Sequence, residues 1–267
     1  MSEDRSEAED PTSIDAARSA DNPAGLFPAD AVIRRVDGES VLLLGGGRAL
    51  LMQLAHPMVA AAVAEHSGFQ ADPFARLQRT LEASFVIVFG TTEQAHAAAA
   101  SVRAVHEHVV GEGYRAGDPT LLMWVHATLV DTALRVHQRF LHPLRAADAE
   151  RYYEESTLVA ELLGVPRSAQ PPDLARFRDY VRGCVASLEV SDTARRLARD
   201  VLHPRLPWPV APVAELGRQI TAGLLPAPLR HQYGLSWDGH RQRALLLAGF
   251  GSRLVLPRVP GLIRRVQ

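Results

Sequence analysis

The chain has 267 residues, of which 47% are hydrophobic and 22% charged, a composition that is ordinary for a soluble globular protein. Its 29 basic and 30 acidic residues give a formal charge of −1, so no overall field favours nucleic acid or an anionic membrane as a partner. The single cysteine, Cys184, excludes an internal disulfide, and we expect a cytoplasmic protein.

The first 28 residues are acidic and polar, and we predict a disordered tail without the basic and apolar regions of a signal peptide. The most apolar stretch, residues 42–64, carries Arg48, Gln53 and His56, which a membrane-spanning helix of about 20 apolar residues would not accommodate. The sequence therefore predicts a buried helix here and no transmembrane segment.

Helical signals dominate the rest of the chain, since long Ala, Leu, Arg and Glu-rich stretches are interrupted by Gly, Pro and Asp. A helix follows the Gly45–Gly47 turn, Asp72-Pro73 begins a second, Thr91 or Thr92 caps a third, and Asp118-Pro119 begins a fourth. The proline-rich residues 204–217 are predicted to be a linker. The predicted helices cover residues 48–66, 72–90, 92–111, 118–142, 145–163, 172–188, 192–203, 218–225 and 238–256.

This pattern defines an all-α, single-domain helical bundle over residues 29–250. The last residues, 251–267, form an apolar tail with a basic tip, which allows weak peripheral contact with a membrane as an alternative to packing on the domain.

Histidines are concentrated in the first four predicted helices. His106 and His108 lie about 200° apart on an ideal helix, so only one of them can face the core. His106 belongs to an i, i+3, i+4, i+7 stripe with Val102, Val105 and Val109, which predicts that His106 is the inward imidazole. His126 lies on a helix that is apolar nearly all round. A buried imidazole is costly unless it is hydrogen-bonded or ligated, and both roles stay open.

A second feature lies on the helix before the histidine helix. Arg76, Arg79 and Thr80 are spaced i, i+3 and i+4, so they share one helix face. Two guanidiniums and a hydroxyl suit carboxylates, such as the propionates of a haem, or a polar pocket facing bound oxygen. The alternative is an ordinary solvated arginine face. Nucleophilic catalysis has no comparable support, because no Gly-x-Ser-x-Gly motif is present and Cys184 has no histidine near it in sequence.

Four blocks, in order, resemble the catalytic domain shared by the fungal oxygenase MpaB and the bacterial latex-clearing rubber oxygenases. The similarity spans about residues 35–245. The blocks are "LLMQLAHPMVAAAVAEHSGF", "DPFARLQRTLEASFVIVFGTTEQA", "VRAVHEHVVGEGYRAGDPTLLMWVHATLVDT" and "YYEESTLVAELLGVP". The resemblance implies an all-helical fold that holds haem b through a histidine and oxidises or cleaves apolar, isoprenoid-like substrates with oxygen.

In the rubber enzymes an Arg-x-x-Lys-Thr segment precedes a haem-ligating His-x-His segment. Arg76, Arg79 and Thr80 match the first segment, while His106 and His108 match the second. By this resemblance His106 is the axial iron ligand, and the three residues of the first segment are catalytic. Arg79 departs from the lysine of the family pattern, and arginine is neither a compact iron ligand nor a proton donor near neutral pH.

Two further histidines are candidate haem-binding residues, because His56 in "LAHP" and His126 in "WVHAT" belong to blocks shared with the MpaB branch. The family's catalytic glutamate corresponds to a region in which Glu65 is the only carboxylate, and no role is assigned to it.

The resulting hypothesis is a haem b-dependent oxygenase that uses O2 on an isoprenoid or lipid-like substrate. The alternative is a non-catalytic haem or lipid carrier of the same fold. Neither requires nucleic acid. The walls of the pocket are expected to include Phe85, Val88, Phe89, Met123 and Trp124.

Overall fold

The computed structural model describes residues 24–66, 82–204, 211–259 and 264–265. These residues form a single helical domain, so the predicted all-α class is confirmed. The described part of the chain contains the α-helices α1 Val32–Asp37, α2 Gly46–Leu54, α3 Pro57–His66, α4 Thr92–His108, α5 Pro119–Phe140, α6 Ala146–Leu162, α7 Leu174–Ser187, α8 Asp192–Leu202, α9 Ala211–Leu224, α10 Ala227–Gln232 and α11 Gly239–Val255. Residues 82–89 are helical too.

Short 3-10 helices occur at Ser40–Gly45, Arg167–Ala169 and Leu256–Arg258. The first of these leads directly into α2, and its Gly45 lies against α5, where a Cβ atom would come within 2.5 Å of Thr132 Cγ2. Gly47 lies equally close to α9, because a Cβ there would come within 2.2 Å of Thr221 Oγ1. The glycine run is therefore a close-packing site as well as a helix entry.

One predicted helix, over residues 48–66, is two helices in the structure. Helix α2 ends at Leu54, and α3 begins at Pro57. Proline has no backbone N–H and fits the first turn of a helix better than its interior, so the chain bends at Ala55 and His56. His56 therefore lies between α2 and α3 and belongs to neither helix.

The caps predicted for α4 and α5 are present. Thr91 forms a capping box with Gln94, and the Asp118 side chain accepts a hydrogen bond from the Thr120 N–H before Pro119. Between the two helices, Val110–Gly111 pairs antiparallel with Tyr114–Arg115 around Gly113, whose φ is +77°. This hairpin was not predicted, because two-residue strands leave no periodicity.

The predicted linker over residues 204–217 is partly wrong, since α9 begins at Ala211 and runs to Leu224. Pro212 lies in the first turn of that helix, where a missing N–H costs nothing. Helix α11 extends to Val255, beyond the predicted domain boundary at residue 250.

The core surrounds α5, most of whose length is buried. Helix α5 contacts the first 3-10 helix, α2, α6, α7 and α11, so it connects the two halves of the chain. Trp124 is fully buried on it and donates its indole N–H to the Met52 carbonyl at 3.2 Å. None of the helices in the described ranges is both long and apolar enough to cross a membrane.

Candidate functional site

A cavity of about 710 Å³ lies beside α5. Its walls come from α1, the first 3-10 helix, α2, helical residues 82–89, α5 and α6. Most of the lining is apolar: Ile33, Leu42, Leu43, Ala49, Phe85, Val86, Val88, Phe89, Leu129, Val130, Ala133 and Val159. This volume is within the range of small-molecule and cofactor pockets, about 300 to 1,000 Å³.

Three of the five predicted wall residues line this cavity, namely Phe85, Val88 and Phe89. The other two, Met123 and Trp124, belong to the buried core and are absent from the lining. They share α5 with the cavity residues, and Trp124 instead donates its indole N–H to the Met52 carbonyl of α2.

His126 is the histidine in the cavity wall. It is buried on α5, and burial lowers the pKa of His126 to about 4 against the opposing effect of a hydrogen bond to the Ser156 backbone. That bond favours the protonated ring, so the imidazole is its donor and the Ser156 carbonyl its acceptor. Nε2 is also buried, and it has no hydrogen-bond partner within the described ranges. The imidazole is therefore neutral, oriented by one nitrogen and unpaired at the other.

A carboxyl and a phenol lie in the wall of the same cavity. Tyr152 donates a hydrogen bond to Asp37 Oδ1 at 2.9 Å, which joins α6 to the end of α1. Burial raises the pKa of Asp37 to about 7, although the Tyr152 hydrogen bond acts in the opposite direction. Tyr152 precedes Ser156 by one helical turn, so one face of α6 contacts both Asp37 and His126.

A buried ion pair, Arg48 with Asp131, lies next to the cavity. Arg48 is 1% exposed and donates to Asp131 Oδ2 at 2.5 Å, to Thr132 Oγ1 at 2.5 Å and to the Leu224 carbonyl at 2.9 Å. Thr132 also lines the cavity. The guanidinium thus joins α2, α5 and α9, and its three partners satisfy a charge that would otherwise be costly to bury.

His106 lies in the last turn of α4 and is partly buried, but it is not among the cavity-lining residues. The predicted inward stripe is wrong at Val105, which is 60% exposed, because α4 packs through Ala95 and Ala99. The helix also ends at His108, one residue before the stripe would finish at Val109. The assignment of His106 as the axial ligand stays a prediction.

His108 is exposed, as predicted, and its Nδ1 lies 2.7 Å from the Ala104 carbonyl. His56 lies at the bend between α2 and α3 and is partly buried, which lowers its pKa. Its Nδ1 is buried with no partner in the described part of the chain. His56 does not line the cavity, so the structure does not bring His56, His106 and His126 together there.

The remaining predicted site residues, Arg76, Arg79 and Thr80, lie outside the described residues. Glu65 accepts a hydrogen bond from the Tyr114 hydroxyl at 2.6 Å, which connects the end of α3 to the hairpin. The described ranges contain no group of three or more His, Cys, Asp or Glu side chains that could hold a metal ion.

Comparison with known proteins gives the class that this fold and cavity represent. Residues 33–255 match the family described as "ER-bound oxygenase mpaB/B'/Rubber oxygenase, catalytic domain". The match covers most of the chain, which therefore belongs to this family, and the resemblance inferred from the four sequence blocks is confirmed.

Two relatives are the uncharacterized mycobacterial proteins Rv2237 of Mycobacterium tuberculosis and Mb2261 of Mycobacterium bovis. Each is 29% identical over 205 residues, covering 73% of this chain and 80% of the relative. No solved structure matches the chain.

Sequence reasoning missed the Asp37–Tyr152 pair. The two residues are 115 positions apart, and Asp37 belongs to none of the quoted blocks. Tyr152 is in the block "YYEESTLVAELLGVP", but no pattern within it distinguishes a cavity tyrosine from a core tyrosine such as Tyr153.

Proposed function

We propose that this oxygenase-family protein binds haem b in the cavity beside α5, where His126 Nε2 would hold the iron, and that it oxidises an apolar, isoprenoid or lipid-like substrate with O2. The observation that carries the proposal is the His126 imidazole, which is neutral, oriented through the Ser156 carbonyl and unpaired at buried Nε2. A ring hydrogen-bonded at one nitrogen is the usual state of a histidine that donates the other to a metal.

The cavity fits such a group in volume and in chemistry. Its lining is mainly aliphatic and aromatic, and the hydroxyls of Thr132 and Ser156 are engaged by protein hydrogen bonds. The carboxyl groups of Asp37 and Glu39, which also line it, are bonded to Tyr152 and Arg264. His126 adds a ring nitrogen, Nε2, that is buried without a hydrogen-bond partner in the described residues. A haem iron held by one protein side chain would need such a nitrogen. When bound, haem supplies an iron centre at which oxygen can be activated.

The protein's own groups have distinct tasks in this proposal. The Ser156 carbonyl fixes the tautomer of His126 and keeps Nε2 unprotonated. The apolar walls keep water from the reacting groups and accommodate the substrate. Asp37, held by Tyr152, keeps a proton near neutral pH at the cavity wall, where a carboxyl group can exchange it with a bound molecule.

The ligand assignment is tested by absorption spectroscopy of purified variants after haem is supplied. We expect His126→Ala to lose the Soret band of bound haem and His108→Ala, an exposed control on α4, to retain it. His106→Ala and His56→Ala test the ligands implied by the sequence resemblance. Loss of the band in either of them, with His126→Ala unaffected, would contradict the proposal.

Turnover is tested separately from binding. The reduced, haem-loaded protein is mixed with O2 and an isoprenoid alkene, and the products are analysed by mass spectrometry. Oxygen incorporation is the expected result for an oxygenase. A spectral change without product would instead support the non-catalytic carrier considered from the sequence.

A further inference from the structure

Helix α11 carries an exposed apolar stripe on the side opposite its packing face. It packs through Leu245, Gly249 and Ser252, since Gly249 lies against the Arg139 carbonyl and Ser252 Oγ donates to the Phe140 carbonyl at 2.7 Å. The other side presents Leu247 at 70% and Phe250 at 61% exposure. A helix that is apolar on both faces usually has a partner on each.

The exposed stripe follows helical spacing. Leu247, Phe250 and Leu254 are related by i, i+3 and i+7, so they form one continuous row, and Leu254 is 50% exposed. Arg243 lies one turn before this row and Arg258 one turn after it, and both are exposed. We call these five residues the α11 outer stripe.

Neighbouring elements add apolar exposure. Helix α9 packs against α11 and presents Val213 and Leu216, which are 69% and 56% exposed. The first 3-10 helix packs against α9 and presents Leu43, which is 57% exposed and also lines the cavity. The elements that carry these side chains therefore connect the outer stripe to the edge of the cavity.

The charge in this region has one sign along the sequence. From Gly239 to the last residue the chain contains six arginines and neither aspartate nor glutamate. Arg241 pairs with Asp238 and Arg264 with Glu39. Arg243, Arg253 and Arg258 form no ion pair within the described residues. The nearest acids on the two helices already have partners, because Asp238 caps α11 and Glu215 pairs with Arg218. A surface that combines exposed apolar side chains with unbalanced arginines is complementary to an anionic lipid surface.

We propose that the α11 outer stripe docks this protein onto the surface of a bilayer that contains anionic lipids. A second copy of the chain fits the stripe less well, because a two-fold contact would bring the arginines of both copies together. The docking goes beyond the proposed oxygenase function and does not depend on haem. It would place the cavity edge at Leu43 close to the phase in which apolar molecules are most concentrated.

The test is flotation of the full-length protein with two kinds of vesicles, phosphatidylcholine alone and equal parts of phosphatidylcholine and phosphatidylglycerol. We expect the protein to float with the anionic vesicles, to float less as salt is added, and to stay largely behind with neutral vesicles. Equal binding to both kinds would overturn the choice of an anionic bilayer, and failure to float with either would overturn the docking.

Substitutions locate the surface. Phe250→Glu and Leu247→Glu should each weaken binding to the anionic vesicles by about tenfold or more, because each puts a carboxylate into the contact. Val105→Glu is the matched control, since Val105 on α4 is also 60% exposed but belongs to a different helix. Equal loss in Phe250→Glu and Val105→Glu would contradict the assignment of the surface.

Three further measurements distinguish the loss of docking from unfolding, from dimerisation and from the loss of haem. Circular dichroism should show unchanged melting for all three variants, because the substituted side chains are exposed. Light scattering gives the mass in solution: a wild-type dimer that becomes monomeric in Phe250→Glu, without vesicle binding, would replace the bilayer by a second copy. Haem absorption should not change in either variant, which separates this proposal from the ligand assignment.

Discussion

At the scale of single residues, one physical cause shifts two titrations in opposite directions. Burial disfavours the charged form of any group, so it lowers the pKa of His126 to about 4 and raises the pKa of Asp37 to about 7. Both side chains line the cavity. Between about pH 4 and about pH 7 the imidazole and the carboxyl group are thus both largely uncharged, which suits a cavity with apolar walls.

The raised pKa of Asp37 predicts a pH dependence of stability. In the unfolded chain the carboxyl loses its proton near its ordinary pKa of 3.8, while in the folded protein it keeps the proton until about pH 7. The free energy of unfolding should therefore fall as pH rises from about 4 to about 7, by at most about 4 kcal/mol from this group. Asp37→Asn should remove this fall, measured as urea midpoints at several pH values.

The exposed Asp30 provides the control for that experiment, since Asp30→Asn should leave the pH profile as it is in the wild type. Tyr152→Phe removes the hydrogen bond that opposes the rise in the Asp37 pKa, so it should extend the fall in stability to higher pH. A profile that is identical in the wild type and in Asp37→Asn would show that the carboxyl is not held protonated.

The residues of the site differ in how far sequence could identify them. His126 was recognised as buried because its helix is apolar nearly all round, and its histidine block matched the family. The position of His106 was derived from a valine stripe, and that derivation assumed that every apolar residue on the period is buried. Val105 breaks the assumption, because small alanines make the contact of α4 instead. Long-range pairs such as Asp37 with Tyr152 have no local signal.

At the scale of elements, end signals were better guides than composition. The caps at Thr91 and Asp118 satisfy N–H groups that the helix itself cannot pair, so a local sequence pattern was enough to find them. Proline content misled twice, because Pro57 and Pro212 lie in first turns of helices, one inside a predicted helix and one inside a predicted linker. A proline marks a helix start as readily as a break, and only packing decides between them.

Close packing of α2 on α9 gives a prediction for two glycines. Both lie inside helices, but a Cβ on Gly47 would come within 2.2 Å of Thr221 Oγ1, whereas a Cβ on Gly217 would meet nothing within 4 Å. Gly47→Ala should lower the free energy of unfolding by about 1 to 3 kcal/mol through overpacking. Gly217→Ala should raise it by about 0.5 to 1 kcal/mol, because alanine has the higher helix propensity.

Both changes are measured by urea denaturation, and the opposite signs make each variant the control for the other. Similar stabilisation by the two substitutions would mean that α2 and α9 are not in close contact at Gly47. The glycine run before α2 would then serve the helix entry alone.

At the scale of the whole molecule, the C-terminal end of the described chain meets the segment after α1 beside the cavity. Glu39 follows α1, is 3% exposed, and accepts two hydrogen bonds from Arg264, at 2.6 and 2.8 Å. Glu39 and Arg265 also form a backbone bridge. Since Glu39 lines the cavity, the basic tip of the chain contributes to the structure around the candidate site.

This closure predicts a coupling between residues 225 positions apart. Arg264→Met should lower the free energy of unfolding by about 1 to 3 kcal/mol, because it leaves a buried carboxylate without its bidentate partner. Glu39→Gln combined with Arg264→Met should cost less than the sum of the two single substitutions, since no unpaired charge then remains buried. Urea denaturation of the four proteins measures the coupling.

Arg258 is an exposed arginine of the same C-terminal region and provides the control. Arg258→Met should change the free energy of unfolding by no more than about 0.5 kcal/mol. Strictly additive costs for Glu39 and Arg264 would show that the end of the chain does not close over the cavity in solution.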